Sequence, residues 1–127
     1  MIVRVRSASS YESRDGFCRA LRVGDRIIVA GTAPIEADGT SVAEGAYAQA
    51  QRCSAIMLEA LGQLGGAPAD VVRTRMFITN PPNADDIGRA HGEALADSPP
   101  AATMVVVAGQ LAPRWRVELE LEAIGVE

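Results

Sequence analysis

Residues 116–124 constrain the fold most, because apolar and charged side chains alternate there strictly from Arg116 to Ala123. One set of alternate positions is apolar and the other is charged: Val117, Leu119, Leu121 and Ala123 against Arg116, Glu118, Glu120 and Glu122. A period of two is that of a β-strand, and it places the two sets on opposite faces of a sheet. We therefore predict a strand with one face in the core and the other facing water or another chain.

Five further strands are predicted from turn residues and runs of β-branched side chains. The pair Gly24-Asp25 is typical of the turn in a hairpin. The last strand of the five is almost wholly apolar, which predicts a central strand buried on both faces. The five are expected at residues 1–6, 17–23, 26–31, 71–79 and 103–107.

Two helices are predicted between these strands. Apolar side chains at spacings of three and four indicate a helix over residues 42–64, with Ser41 as its N-cap. Cys53 lies on the apolar stripe of this helix and is expected in the core. A shorter helix is predicted to begin at Asn83 or Asp85 and to end near Ala96.

The order of these elements predicts a two-layer α+β fold. Two helices can cover only one face of a mixed sheet of about six strands, so both are expected on the same face. The length of 127 residues fits one domain, residues 1–127. The second sheet face must meet water or another chain, and the apolar strand at 103–107 favours another chain. Arg4 and Arg6 also offer charges that could pair with the glutamates of the last strand.

Composition excludes several functions. The formal net charge is −4, which is a poor match for a phosphate backbone, so nucleic-acid binding is not expected. All 12 basic residues are arginine, so no lysine can form a Schiff base. No apolar run approaches the roughly 20 residues of a membrane helix. The chain starts with a strand pattern and not a signal peptide, so we expect a cytoplasmic protein with reduced cysteines.

The sequence contains no complete catalytic or metal-binding motif. His91 is the only histidine, and its His-x-Glu context lacks the downstream cysteines of a zinc deaminase. We expect His91 on a helix surface or as a hydrogen-bonded core residue. Cys18 stands among charged neighbours, where a pocket-lining role remains open. Any active pocket is therefore expected to be shared between subunits.

Four segments, taken together, resemble the YjgF/RidA family. Residues 22–34 are similar to the family hairpin, and residues 70–79 to its aspartate-valine-valine strand. Residues 100–103 fall where the family has proline-alanine-arginine followed by serine or threonine. Residues 120–124 are similar to its closing glutamate-isoleucine-glutamate-alanine strand. The resemblance covers nearly the whole chain, with the segments in the same order.

This resemblance implies a fold, an assembly and a chemistry. The family has a chorismate-mutase-like fold and forms homotrimers with a small-molecule pocket in each intersubunit cleft. Its archetypal members hydrolyse enamines and imines to 2-keto acids and ammonia, with no metal or organic cofactor. An arginine binds the substrate carboxylate, and a glutamate on the last strand positions water. By the same resemblance, Glu120 is the expected catalytic residue and Thr103 a ligand contact.

At four other pocket positions the chain departs from the family pattern. Ala102 replaces the carboxylate-binding arginine, which puts the archetypal deaminase activity in doubt. A replacement cation could come from Arg75, Arg19 or Arg89. Arg75 is preferred, although a structural ion pair explains it equally well. The remaining departures are Phe17 for the pocket tyrosine, Ala30 for a serine and Gly88 for an asparagine.

Three functions therefore stay open. The first is an enzyme for a small molecule unlike the archetypal imine, and the second is a non-catalytic small-molecule sensor on the same fold. The third is ribonuclease activity or translation inhibition, labels often attached to the family. It fits least, because the chain is acidic and no general acid–base pair is evident.

Overall fold

A computed structural model describes residues 1–7, 9–41 and 45–127, and it forms the predicted α+β fold. Six strands build one sheet in the order β1-β2-β3-β6-β4-β5, antiparallel except for the parallel pair β4–β5. The strands are β1 Ile2–Val5, β2 Ala20–Val23, β3 Arg26–Thr32, β4 Val71–Ile78, β5 Ala101–Val106 and β6 Val117–Ile124. The helices in the described ranges are α1 Ser10–Asp15, α2 Ala46–Gln63 and α3 Ala84–Leu95.

The core lies between one face of the sheet and the helices α2 and α3. The predicted alternation of β6 is confirmed, because its four apolar side chains are no more than 2% exposed. Cys53 on α2 is fully buried among them, as predicted, and its burial raises the pKa of the thiol. None of the described helices is long and apolar enough to cross a membrane. Neither α2 nor α3 covers the opposite sheet face, and α1 only borders it beside β1 and β2.

Helix α2 begins later than the sequence indicated. Its N-cap is Gly45 and not Ser41, and the predicted first residues 42–44 lie outside the described part of the chain. The Ser41 hydroxyl instead accepts hydrogen bonds from Trp115 Nε1 at 2.9 Å and Arg114 Nε at 3.0 Å. Ser41 therefore anchors the loop before β6, a role that local sequence could not indicate.

The prediction of a central strand at 103–107 is wrong, because β5 is the edge strand of the sheet. It pairs only with β4, whose other edge is occupied by β6. Val105 and Val106 are 39% and 55% exposed. The physical reason lies in the crossover through α3, which returns the chain to the open edge of β4. The apolar composition of β5 thus belongs to a surface and not to the core of this subunit.

The N-terminal part also differs from its prediction. The expected strand 17–23 is shortened to β2, and a six-residue helix, α1, precedes it. Arg4 and Arg6 lie on or next to β1, which two strands separate from β6, so they cannot pair with the β6 glutamates. Glu120 instead pairs with Arg75 on β4, and Glu122 lies near both Arg75 and Arg26 on β3.

Candidate functional site

The uncovered sheet face carries a row of three residues that the sequence singled out. Glu120 on β6 is paired with Arg75 on β4, and Arg75 is paired with Thr103 on β5. Directly paired residues share one face of a sheet, so all three side chains project from the uncovered side. A carboxylate, a guanidinium and a hydroxyl therefore lie side by side across three strands.

Arg75 and Glu120 form an ion pair within this row. Arg75 Nη1 donates to Glu120 Oε1 at 2.9 Å and lies 3.7 Å from Glu122 Oε1. The two side chains of the closer pair are 38% and 30% exposed. Arg75 thus forms a structural ion pair, and this pair still faces solvent. Its remaining N–H groups and the second carboxylate oxygen can reach a ligand.

Ala30 and Phe17 extend the row toward β2. Ala30, Arg75 and Glu120 line one shallow groove of about 110 Å³. A neighbouring depression on the same side is lined by Phe17, Ala30 and Cys18. Phe17 is 38% exposed, and its apolar ring borders the depression and not the groove itself. The small side chain of Ala30 leaves the space beside the ion pair open.

Two predicted site residues lie on the other side of the sheet. Ala102 is paired with the buried Thr74, so it projects to the face opposite Thr103. Gly88 is on α3, within the helical layer, and a Cβ atom built there would meet nothing within 4 Å. Within one subunit neither residue meets the Arg75–Glu120 pair, so only a cleft between subunits could bring them to it.

The other two candidate cations, Arg89 and Arg19, do not lie in the row with Glu120. Arg89 is an exposed residue of α3 that stacks over the Tyr47 ring at 3.7 Å and lies 3.6 Å from Asp86. Arg19 is 8% exposed and belongs to a separate cavity, together with Glu118 and Trp115. This cavity was not predicted from the sequence. The one sequence feature that pointed to it is Gly31 on β3, where the absence of a side chain leaves room for Glu118 on the neighbouring strand β6.

His91 is a partly buried, hydrogen-bonded residue, in agreement with its predicted structural role. Its Nε2 lies 2.7 Å from the hydroxyl of Thr74, which is 1% exposed. Burial lowers the pKa of His91. The imidazole thus connects α3 to β4 on the covered side of the sheet, away from Glu120.

A six-stranded sheet with two helices on one face and a charged row on the other defines the class of the molecule as a two-layer α+β protein. The chain belongs to the endoribonuclease L-PSP family, whose model matches residues 7–125. This confirms the resemblance drawn from the four sequence segments.

Individual relatives agree with this assignment over nearly the full length. Rv2704 from Mycobacterium tuberculosis, a member of the YjgF/YER057c/UK114 family, is 34% identical with a TM-score of 0.90, covering 98% of this chain and 99% of its own. The uncharacterized protein SCO2049 of Streptomyces coelicolor is 36% identical over 94% of this chain and 90% of its own. Escherichia coli TdcF, solved with bound serine, shares the fold at 16% identity and a TM-score of 0.82, with 95% and 93% covered.

Proposed function

We propose that the chain forms a homotrimer with a small-molecule pocket in each intersubunit cleft, where it hydrolyses an imine, an enamine or a related reactive intermediate. The observation that carries this proposal is the Arg75–Glu120 pair with Thr103 on the bare sheet face. A second subunit laid on this face would make the row one wall of a cleft that still admits water. Family membership supports the assembly and the chemistry together.

The proposed reaction needs only an oriented water molecule. Glu120 accepts a hydrogen bond from the water and directs its oxygen to the imine carbon, where a C–O bond forms. One water proton passes through Glu120 to the nitrogen as the C=N π bond opens, which gives a carbinolamine. The proton of its hydroxyl then passes through Glu120 to the same nitrogen, the C=O bond forms as the C–N bond breaks, and ammonia leaves a carbonyl product. Arg75 holds the Glu120 carboxylate in place and keeps N–H groups for an electron-rich part of the substrate.

The expected substrate preference follows from three positions at which the family has polar residues and this chain has apolar ones. Ala102 offers no guanidinium for a carboxylate, and Ala30 offers no hydroxyl. Phe17 presents an apolar ring at the depression beside the groove. We therefore expect a substrate that is less dependent on carboxylate binding than 2-aminoacrylate.

Ammonia release from freshly generated 2-aminoacrylate tests this proposal. We expect little turnover by the unmodified protein and a gain in the Ala102→Arg variant, because that change supplies the carboxylate-binding group. Rapid turnover by the unmodified protein would show that Ala102 does not limit the activity.

A panel of imines without a carboxylate tests the role of Glu120. The Glu120→Gln variant is expected to lose about 100-fold or more in kcat, as is usual when a general base is removed. Glu122→Gln, on the same strand and face, is the matched control. Equal rates in Glu120→Gln and the unmodified protein would refute the assignment.

A non-catalytic sensor on the same fold is the second candidate. It is favoured by the direct contact of Glu120 with Arg75, which occupies one carboxylate oxygen. Saturable binding of an imine analogue without turnover of any tested imine would select this function.

A further inference from the structure

A second cavity lies at one end of the sheet, inside a single subunit. It is enclosed by the segment before β2, the end of β3, helix α2 and the loop before β6, and its volume is about 310 Å³. That is the lower end of the range for small-molecule sites. Its walls are mainly apolar, with contributions from Phe17, Ile35, Ile56 and Trp115. Neither Arg75 nor Glu120 lines it, so it is separate from the charged row.

Arg19 places an unused hydrogen-bond donor in this cavity. The side chain is 8% exposed, and its Nη2 donates to the main-chain oxygen of Gly31. Its Nε is buried and has no hydrogen-bond partner in the structure. An arginine stays charged in proteins, and a buried donor without an acceptor is costly. The Arg19 guanidinium, which lines the cavity and is short of acceptors, therefore favours a ligand that brings one.

Glu118 places an unused acceptor in the same cavity. Among the described residues its carboxylate has no hydrogen-bond or ion-pair partner, and burial raises its pKa. Gly31 makes room for it, because a Cβ atom at this position would overlap Glu118 Oε1. Arg19 is attracted by the buried Glu12 and, across the cavity, by Glu118, but no ion pair joins it to either carboxylate among the described residues. A gap thus separates a buried donor from an acceptor.

The charge around the cavity selects the ligand further. Its lining holds four acidic residues and two arginines: Asp15, Glu36, Glu59 and Glu118, with Arg19 and Arg52. Asp15 is neutralised by its ion pair with Arg14, and the other three carboxylates still outnumber the two arginines, which disfavours an anionic ligand. A primary ammonium could meet Glu118, but it would leave the Arg19 donor without an acceptor. A neutral amide satisfies both groups, since its carbonyl accepts from Arg19 and its N–H donates to Glu118.

We propose that this intrasubunit cavity is a binding site for a small, largely apolar molecule that carries a neutral amide or ureide group. Its carbonyl binds Arg19, its N–H binds Glu118, and its apolar body packs against Trp115 and Ile56. The proposal goes beyond the imine chemistry of the intersubunit cleft and does not depend on it.

Fluorescence of Trp115 provides a direct test, because it is the only tryptophan of the chain and lines the cavity. Benzamide, benzoate and benzylamine are probes of similar size that differ in charge. We expect a saturable change in emission with benzamide, and binding of benzoate and benzylamine at least about tenfold weaker. No saturable change with benzamide at millimolar concentrations, or equal binding of benzoate, would overturn the proposal.

Variants identify the groups that bind. Glu118→Leu and Arg19→Met each remove one hydrogen bond to a charged group, and each is expected to weaken benzamide about tenfold or more. Gly31→Ala should weaken it as well, because the added methyl displaces Glu118. Glu93→Leu, on the exposed face of α3, should bind normally. Unchanged affinity in folded Glu118→Leu would refute the site, while the ammonia assays, which depend on Glu120, would stand or fall separately.

Discussion

At the scale of single residues, the Arg75–Glu120 pair connects stability to the proposed activity. Partial exposure of both side chains allows water to screen their attraction. A double-mutant cycle with Arg75→Met and Glu120→Gln, measured by urea unfolding, should therefore give a coupling free energy of about 0.2–1 kcal/mol. The coupling should shrink as salt is added.

A coupling free energy above about 2 kcal/mol would contradict this picture of a water-accessible pair. It would mean that the pair is largely dehydrated, as in a buried ion pair. In that case Glu120 would be too strongly held to orient water, and the catalytic proposal would weaken with it.

His91 should make stability depend on pH near neutrality. Burial lowers its folded-state pKa below the ordinary 6.5, so the unfolded chain binds more protons just below that pH. The free energy of unfolding should therefore fall as the pH is lowered through about 6.5, and level off once the folded-state His91 is also protonated. His91→Gln, which keeps a partner for Thr74, should lose less stability between pH 7.5 and 5.5 in urea titrations. An unchanged slope in this variant would contradict the prediction.

The family resemblance predicts a site role for Glu120 and none for Glu118, although both belong to the same alternating set. Alternation assigns a side chain to a face, and Glu118 was accordingly predicted to be solvated. Its actual setting depends on Gly31 and Arg19, which are remote in sequence, and on the irregular register between β3 and β6 near Thr32. Long-range packing of this kind leaves no local pattern.

At the scale of secondary-structure elements, β6 is the strand on which the sheet depends most. It lies between β3 and β4, and its buried face contacts the helical layer. Leu121→Ala should lower the free energy of unfolding by about 2–5 kcal/mol, since it leaves a cavity in the core. Glu122→Ala, the next residue on the opposite face, should change it by about 0.5 kcal/mol or less. Equal losses in thermal or urea unfolding would refute the assignment of faces.

The strands β5 and β6 show why sequence predicted one element well and the other poorly. The alternation of β6 reflects two different environments, so it reports burial directly. The uniform apolar run of β5 is compatible with a central strand or with an edge covered by another chain, and composition alone cannot separate them. Helix α1 was missed because six residues are too few to establish a helical period, although Ser9 caps it through a hydrogen bond from Tyr11 N.

At the scale of the whole molecule, we expect the uncovered sheet face and the apolar edge strand to contact another subunit. Val105 on β5 and Ile28 on β3 are 39% and 41% exposed on a sheet that is otherwise well packed on its other side. Exposed apolar side chains beside a strand edge are typical of association surfaces. The homotrimer proposed above would bury them and the charged row together.

The Ile28→Lys variant tests that assembly. In an isolated subunit the lysine stem can lie along the sheet with its ammonium in water, close to Glu122, the residue paired with Ile28 in the register. Folding should therefore be retained, with an unchanged far-ultraviolet circular dichroism spectrum. Between subunits, three such ammonium groups would be desolvated near one another, so sedimentation equilibrium should show a shift from trimer to monomer. The control Gln51→Lys adds the same charge to the exposed side of α2 and should remain trimeric. A trimer that survives Ile28→Lys would place the subunit contacts elsewhere than on this face, and the row of Arg75, Glu120 and Thr103 would then have no shared cleft to line.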